Sequence, residues 1–583
     1  MTKTDAYAES SGLVRIYRSL LSANTRARID RRVPLRLRFA VKRIAGLGRV
    51  VPTPARVAFA VASRAHRSFY RGEGRALALD GVRHVAALAD TAQSPLESRR
   101  KNLLTVLGAL EAAGIDHFCV RGLKDTTSTV AVASDDWAAV TSLLSQLASD
   151  TTGYLALVYG DAEPVEVRGR PGYRRLIARR AHAAAAVRVA WFRTDSTGRA
   201  VYGERYSCEI QRWERSDGGR LTAPLRNAVA PFVSDQHEAV LASDSLFTRL
   251  APADRNPLPD VRTRIEFTDG RPDDVLFPID VVFTWVDGAD AEWQRKRAEH
   301  SPDSYHEESA NETRYRSRDE LKYALRSIEM NAPWVRNIYV VTDDQRPSWL
   351  DESVPGLTLV DHRDIFSDTS VLPTFNSHAI ETQLHHIEGL SEHFIYFNDD
   401  MMLGAEVIPQ HFFHANGITK FFLSPVNEPQ GDPTADDVPV TIAAKNNRRL
   451  LKQHFGTSLT QKMKHVPYAL RKSVLEEIEA KFSDEIRVTM GNKARSRDDI
   501  SLLSSFYQHY AFSTGRAVPG RIRYSYLDLR KGDARRTMGL LLAMRDQQAF
   551  CANATSVGEQ EVTAEELREF LESYFPVPSR FER

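Results

Sequence analysis

Cysteine is scarce in this 583-residue chain. The three cysteines, Cys119, Cys208 and Cys551, lie far apart and form no CxxC pair. Disulfide frameworks and structural zinc sites need several closely spaced or paired cysteines. The sequence therefore argues against both, and it favours a reducing, cytoplasmic location.

Long hydrophobic runs are also missing. No apolar run reaches the ~18–20 residues that cross a bilayer. The N-terminal stretch MTKTDAYAESSGLVRIYRSLL lacks the uninterrupted apolar core of a signal peptide. We therefore expect an uncleaved protein without a membrane-spanning helix, either free in the cytoplasm or held peripherally on the inner membrane face.

An overall excess of one charge is absent too, because the formal net charge is only +2. That value hides an asymmetry: residues 1–75 hold 17 Lys and Arg against 4 Asp and Glu, whereas the rest holds 61 against 72. Apolar periodicity in this N-terminal segment predicts basic helices, which pack on the body or contact an anionic membrane surface. No nucleic-acid-binding motif accompanies them, so we expect no nucleic-acid partner.

The chain is too long for one hydrophobic core, so two or three domains are expected. We predict a basic helical extension over residues 1–75, a small α/β accessory module over 76–270 and a catalytic domain over 271–583. The Pro- and Asp-rich stretch 251–274 reads as a linker between the last two.

Buried strands that run into acidic residues dominate the chain after residue 278. PIDVVFTWVDG, RNIYVVTDD, LTLVDHRDIF and HFIYFNDD all have this form, and the helical segments SRDELKYALRSIEMNAP and NSHAIETQLHHIEGL lie between them. The first helix has Ser317 as its predicted N-cap, with Glu320 three residues later. This order predicts an α/β fold, a mostly parallel sheet of the nucleotide-sugar-transferase type with flanking helices. Ligands of such sheets bind outside the carboxyl ends of the strands. The acids expected at that edge are Asp287, Asp343, Asp344, Asp361, Asp399 and Asp400.

The pair Asp399-Asp400 is the centre of the predicted site. Adjacent carboxylates suit Mg²⁺ or Mn²⁺ held against a diphosphate, although an isolated Asn-Asp-Asp is usually a turn or a helix cap. Arg316 and Arg318, just before a helix, could bind phosphate oxygens or form a solvated basic turn. His465 precedes another helix, and the stretch ARSRDD carries Arg495 and Asp499.

These segments, in this order and together with the C-terminal LREFLESYFPVPSRFE, resemble the Stealth-type sugar-1-phosphate transferases, which include bacterial capsular and exopolysaccharide phosphotransferases. The resemblance covers about residues 278–583 and implies transfer of a sugar-1-phosphate from a UDP-sugar, of the UDP-glucose or UDP-N-acetylglucosamine type, to a hydroxyl of a glycan acceptor. This reaction would release UMP and leave a phosphodiester.

The resemblance also implies roles for individual residues. Trp285, Asp287 and Gly288 would line the nucleotide pocket, and Arg316 and Arg318 would face the diphosphate. His465 is the first candidate for the general base, with Asp399 as the alternative. Asp400 and Asp499 would hold the metal, while Arg495 would neutralise phosphate charge.

The fourth block of the resemblance departs from the family pattern. A Cys-Leu-Asn-Asp word is replaced by Cys551-Ala552-Asn553-Ala554, so the Asp is lost and Glu559 or Glu561 could replace it. Asn553 is not expected to be catalytic. Two rival functions stay open: a glycosyltransferase that forms a glycosidic bond and releases UDP, and a non-catalytic scaffold that binds nucleotide-sugars. The sequence also allows a homodimer.

Overall fold

The computed structural model describes residues 74–80, 83–89, 94–160, 165–167, 180–251, 259–300, 317–553 and 562–583. The basic N-terminal segment, Arg316, Glu559 and Glu561 lie outside these residues. None of the helices in the described part of the chain combines the length and apolar composition that crossing a bilayer requires.

The N-terminal part of the described chain is one mixed sheet of 13 strands with two helices on it. Its central strand order is β1-β2-β7-β9-β4-β3-β13-β12. The strands are β1 (Arg75–Asp80), β2 (Arg83–Ala89), β3 (His117–Val120), β4 (Ser128–Ala133), β5 (Gly153–Val158), β6 (Val165–Val167), β7 (Ala186–Thr194), β8 (Val201–Tyr202), β9 (Cys208–Ser216), β10 (Arg220–Thr222), β11 (Phe232–Ser234), β12 (Val240–Ser243) and β13 (Asp260–Thr263). The helices are α1 (Pro95–Ala112) and α2 (Trp137–Asp150). Trp137, Trp191 and Trp213 are fully buried in its core.

The predicted linker over 251–274 is wrong in part, because it contains β13. This strand pairs antiparallel with β12 and parallel with β3, and the Thr263 hydroxyl donates to the Cys119 carbonyl oxygen at 2.7 Å. Pro259 and Asp260 mark the start of this short strand rather than an unstructured connection. The division of the chain at residues 75 and 270 stays a prediction.

The C-terminal part is built on a five-stranded sheet in the order β16-β15-β14-β17-β22, where the first four strands are parallel and β22 is antiparallel. The strands are β14 (Ile279–Thr284), β15 (Ile338–Thr342), β16 (Leu357–Asp361), β17 (His393–Asn398), β18 (Met401–Met402), β19 (Thr419–Phe421), β20 (Leu423–Asn427), β21 (Gln461–Met463), β22 (Tyr468–Arg471), β23 (Ala517–Pro519), β24 (Tyr524–Asp528) and β25 (Ala549–Asn553). The helices are α3 (Ala291–His300), α4 (Glu320–Asn331), α5 (His362–Ile365), α6 (Ser377–Glu381), α7 (Pro439–Phe455), α8 (Lys472–Lys481), α9 (Ser483–Gly491), α10 (Tyr507–Ser513), α11 (Ala534–Met544) and α12 (Ala564–Tyr574), with a π-helical turn over Leu502–Phe506.

Continuous apolar runs explain the central strands, because a parallel sheet covered by helices buries both faces of each strand. All of β15, and all but the last residue of β14 and β17, are buried. The predicted mostly parallel α/β sheet is therefore confirmed. Its register aligns Thr284 with Asn398 and Thr342 with Asp361, so the acids after these strands share one edge.

Two predicted helix boundaries are wrong. Helix α4 does not begin at a Ser317 N-cap: Asp319 takes that position in the left-handed region at φ 63°, and the Glu320 carboxylate accepts the Arg318 amide at 2.6 Å. The single helix expected over NSHAIETQLHHIEGL is α6, of five residues, followed by a 3₁₀ turn at Leu384–His386. Gln383, which lies between the two, accepts a hydrogen bond from the Ser367 amide at 3.0 Å through its side chain.

Several contacts join the two parts. The Tyr206 hydroxyl donates to Glu406 at 3.0 Å, and Arg205 forms an ion pair with the same carboxylate. Leu96 and Leu250 pack with Ile408. The N-terminal part is thus held against the loop that follows β18.

Candidate active site

Asp400 lies at the carboxyl edge of the sheet, two residues after β17. His465 reaches it because β22, which begins three residues after this histidine, pairs Tyr468 with Tyr396 near the end of β17. Nε2 of His465 lies 3.3 Å from Oδ1 of Asp400. The two predicted residues from distant segments are therefore neighbours.

The other oxygen of Asp400 is held by the C-terminal strand β25. Nδ2 of Asn553 donates to Oδ2 at 2.5 Å, and the Cys551 thiol lies 3.2 Å from the same atom. This contact arises because Met401 pairs with Cys551 across β18 and β25, and the Ala552 amide donates to the Asp400 carbonyl. Asn553 thus contacts Asp400, and the expectation that it is not catalytic stays a prediction.

The negative charge of Asp400 and the positive charge of protonated His465 stabilise each other. Burial alone would raise the pKa of Asp400, but His465, Cys551 and Asn553 outweigh it and keep the pKa below its usual value. Burial likewise disfavours the imidazolium, yet Asp400 and Glu381 hold the pKa of His465 above its usual value. We infer an ionised Asp400 beside a histidine that titrates above its ordinary range.

Asp399 has the opposite character. Burial, and then the charges of Glu320 and Asp400, raise its pKa well above the usual value. This environment favours the protonated form of Asp399. The two adjacent acids, which the sequence could not tell apart, are therefore distinguished by their surroundings.

Glu381, the last residue of α6, is an acid that the sequence reading did not single out. It is buried, and desolvation raises its pKa to about 7 even though Arg495 favours the ionised form. The Tyr396 hydroxyl lies 3.4 Å from Oε1, and Oε2 has no hydrogen-bond partner among the described residues. A buried carboxyl with an elevated pKa between an arginine and a histidine is typical of a functional site. One Glu inside a helical pattern gave no signal for this in the sequence.

Arg495 is positioned by the loop between α9 and the π-helical turn. Its Nη2 donates to the Ser377 hydroxyl at 3.0 Å, at the start of α6. Asp499 stabilises this loop: it is fully buried and accepts hydrogen bonds from Asn376 at 2.9 Å, from Asn492 at 2.8 Å and from the Ser496 amide at 3.0 Å. Its role as a metal ligand stays a prediction, and these contacts favour a positioning role.

Replacing Asp499 with Ala should destabilise the protein by about 3 kcal/mol, because several buried donors lose their acceptor. Urea unfolding followed by circular dichroism measures this loss. Asp498, the exposed neighbour, is the matched control, and Asp498→Ala should unfold like the wild type. Equal stability of the two variants would show that Asp499 does not organise the loop.

The predicted nucleotide-binding residues surround the loop after β14. Trp285 is buried, and Gln345 fixes the backbone of Asp287 with hydrogen bonds of 2.9 Å to both its amide and its carbonyl. The Gly288 carbonyl accepts from Gln294 at 2.8 Å. The loop is thus preformed at the same edge of the sheet as Asp400.

Arg318 lies on the Asp399 side of this edge. Its side chain is buried beside Glu320, with Nη1 4.0 Å from the carboxylate. The charge of Glu320 acts on Asp399. Arg318 is thus linked to the acidic pair through Glu320, whereas Arg316 lies outside the described residues.

The residues at Asp400 fit a divalent cation. Oδ1 of Asp400 and Nε2 of His465 are buried, and neither forms a hydrogen bond of good geometry with any described residue. Ligand atoms of Asp400, His465 and Cys551 lie within 4.8 Å of one another. Mg²⁺ needs only one or two carboxylates when substrate phosphates complete its coordination, whereas imidazole and thiol groups suit softer metals such as Mn²⁺ or Zn²⁺ better.

Comparison with known proteins finds family regions and relatives that match this chain. The four conserved regions of Stealth proteins match in order: region 1 at 277–305, region 2 at 314–421, region 3 at 464–512 and region 4 at 540–583. Two proteins of Streptomyces coelicolor named exopolysaccharide phosphotransferase are 45% and 46% identical to the chain. The first alignment covers 99% of both chains, and the second covers 99% of this chain and 98% of the relative. Among solved structures, the galactosyltransferase LgtC aligns with a TM-score of 0.28 and 10% identity, over 52% of this chain and 96% of that one.

Proposed function

The chain belongs to the Stealth protein family, and on that premise we propose that it transfers the sugar-1-phosphate of a UDP-sugar to a hydroxyl of a glycan acceptor in exopolysaccharide synthesis. The acceptor oxygen attacks the β-phosphorus, the bond from that phosphorus to the bridging oxygen breaks, and UMP leaves with that oxygen. The product is a phosphodiester. The relatives' name, exopolysaccharide phosphotransferase, supports this class of reaction.

The observation that carries the proposal is the contact of His465 with Asp400 at the carboxyl edge of the sheet, with Glu381 and Arg495 beside it. A sugar hydroxyl is a weak nucleophile at neutral pH, so a positioned base accelerates its attack. His465 can take the hydroxyl proton, and the Asp400 carboxylate stabilises the imidazolium that forms. Asp399 is the weaker candidate for the base because burial disfavours the carboxylate form that a base needs.

Neutralisation of the negative charge on the phosphates is the second requirement of this reaction. Arg495 lies close enough to Glu381 to act on its ionisation, which places a guanidinium beside the base. We assign it to the transferred phosphate, and Arg318 to the diphosphate side of the preformed Trp285–Gly288 loop. A divalent cation held by the carboxylate of Asp400, with the His465 imidazole left free to accept the proton, would supply further neutralisation of the diphosphate.

A panel of UDP-sugars, incubated with Mg²⁺ and with or without glycan acceptors, tests this function. We expect UMP release that depends on the acceptor, with one sugar preferred. Release of UDP instead would establish a glycosyltransferase. Binding of a UDP-sugar without release of either nucleotide would establish a scaffold.

The pH dependence of the reaction should show the influence of Glu381. A His465 base must be neutral, so kcat rises with pH through the pKa of this residue. Ionised Glu381 raises the pKa of His465. Glu381→Gln should therefore move the acidic limb of the kcat profile to lower pH. We expect a shift of about half a pH unit, which corresponds to about 0.7 kcal/mol.

The exposed Glu388, which follows on the same segment, provides the matched control. Glu388→Gln should leave the profile in place. A shift of the Glu381→Gln profile to higher pH, or no shift, would contradict the coupling of Glu381 to the base.

A further inference from the structure

A polar cavity of about 430 Å³ lies between the two parts of the chain, away from Asp400. Its N-terminal side is formed mainly by the loop after β3 and by residues next to β8. Its C-terminal side is formed by the loop after β18 and the starts of β24 and β25. The charged residues that line it are Lys124, Asp125, Arg188, Glu204, Arg205, Glu406, His411 and Arg523.

A second cavity of about 310 Å³ adjoins the first, because both are lined by His411. Its other charged residues are Lys420 and Arg521. Lys420 is half-buried and its ammonium group donates to the Gln410 carbonyl at 2.6 Å. Arg521 is exposed. We call the two cavities, which share His411, the interface groove.

Positive charge predominates in the interface groove. Six Lys and Arg side chains line it against three acids. Two of the acids and two of the cations are paired: Asp125 binds Arg249 at 2.8 Å, Glu406 pairs with Arg205, and Arg188 binds Glu209 at 2.7 Å. Neither Lys124 nor Arg521 forms an ion pair with a described residue. The groove therefore presents cations that an anionic ligand can bind.

The pKa of His411 is consistent with a predominance of positive charge in the interface groove. Burial, followed by the positive charges of Arg523, Lys420 and Arg249, lowers its pKa to about 4. The imidazole therefore adds no positive charge to the groove at physiological pH, and its two nitrogens contact the Ile408 amide at 3.0 Å and the Gln548 side chain at 2.9 Å. The surrounding cations remain available for a ligand.

The interface groove is connected to the active site through one strand. Gln548, which lines the first cavity, immediately precedes β25, and Asn553 at the other end of β25 binds Asp400. Five residues of extended chain separate Gln548 from Asn553 by about 17 Å. A glycan chain of several sugars is long enough to span that distance.

We propose that the interface groove binds the growing glycan chain through the negative charges of its phosphodiester links. This inference rests on the proposed function, because only sugar-1-phosphate transfer creates such a polyanion. The proposal also assigns a function to the N-terminal part of the chain, whose residues complete the groove that holds the product for the next addition.

The test compares the double charge reversal Lys124→Glu/Arg521→Glu with Arg568→Glu, an exposed control outside both cavities. The probe is a fluorescent hexamer of hexose units joined by phosphodiester links, and a neutral hexasaccharide serves as its reference. Fluorescence anisotropy at fixed ionic strength should give a Kd about tenfold weaker for the double variant, whereas Arg568→Glu should bind like the wild type. UMP release with a monosaccharide acceptor should be unchanged in both variants.

Three results would overturn the proposal: wild-type protein that does not bind the phosphodiester hexamer, equal binding of the charged and neutral probes, or equal affinity of the double variant and the control. If such a result accompanies acceptor-dependent UMP release, the groove is rejected and the proposed function stands. If the hexamer binds as expected but no UMP is released, the groove stands and the proposed function is rejected.

Discussion

Asp400→Asn should lower the rate of sugar-phosphate transfer by about 10³-fold, or about 4 kcal/mol in the barrier, without unfolding the protein. The substitution keeps the shape of the side chain but removes its charge. It therefore removes the partner of His465, which lies 3.3 Å away, and the carboxylate available to a divalent cation. It also presents an amide to Asn553, whose Nδ2 now donates to Oδ2.

Single-turnover UMP release measures this effect, and thermal unfolding checks the fold. Asp344→Asn is a matched control: Asp344 follows β15 at the same edge of the sheet, is largely exposed and has φ 55°, a conformation that Asn tolerates. Asp399→Asn should be much milder than Asp400→Asn, because an amide resembles the protonated acid that burial favours there. Equal losses at both positions would refute the separate roles of the two acids.

His465→Ala should lower kcat by about 10²- to 10⁴-fold, the range that a general base contributes. Because His465 contacts the reacting edge rather than the core of the sheet, we expect the overall fold to be retained. Steady-state kinetics across pH should also show that the acidic limb assigned to this histidine has disappeared.

Added imidazole should restore part of the activity of His465→Ala, since the substitution leaves space beside Asp400. The control is His182→Ala, at an exposed position in the N-terminal part, which should turn over like the wild type. Near-normal kcat in the His465→Ala variant would show that His465 is not the general base.

The central sheet was predictable because each step depends on local patterns. Apolar runs such as Ile279–Thr284 and His393–Asn398 are the length of a strand and are followed by acids, and parallel order then brings those acids to one edge. The helix before Pro333 ends at Asn331, two residues before this helix-breaking proline. Periodicity and turn residues suffice for features of this kind.

The rest of the site depends on contacts between distant segments, which local patterns do not encode. Glu381 becomes notable only when α6 ends beside Arg495 and His465, and Asn553 only when β25 pairs with β18. The carboxylate of Asp499 is a group that could bind a metal, yet it accepts hydrogen bonds from the side-chain amides of Asn376 and Asn492. The interface groove requires two parts of the chain whose packing no motif indicates.

The position of the β-phosphate after one turnover tests the central claim most directly. A UDP-sugar carrying ³²P in its β-phosphate is incubated with the protein and a glycan acceptor, and the products are separated by size. Sugar-1-phosphate transfer predicts that the label enters the glycan, resists phosphatase as a phosphodiester should, and leaves unlabelled UMP. Label that stays in free UDP while unlabelled sugar enters the glycan would contradict the account.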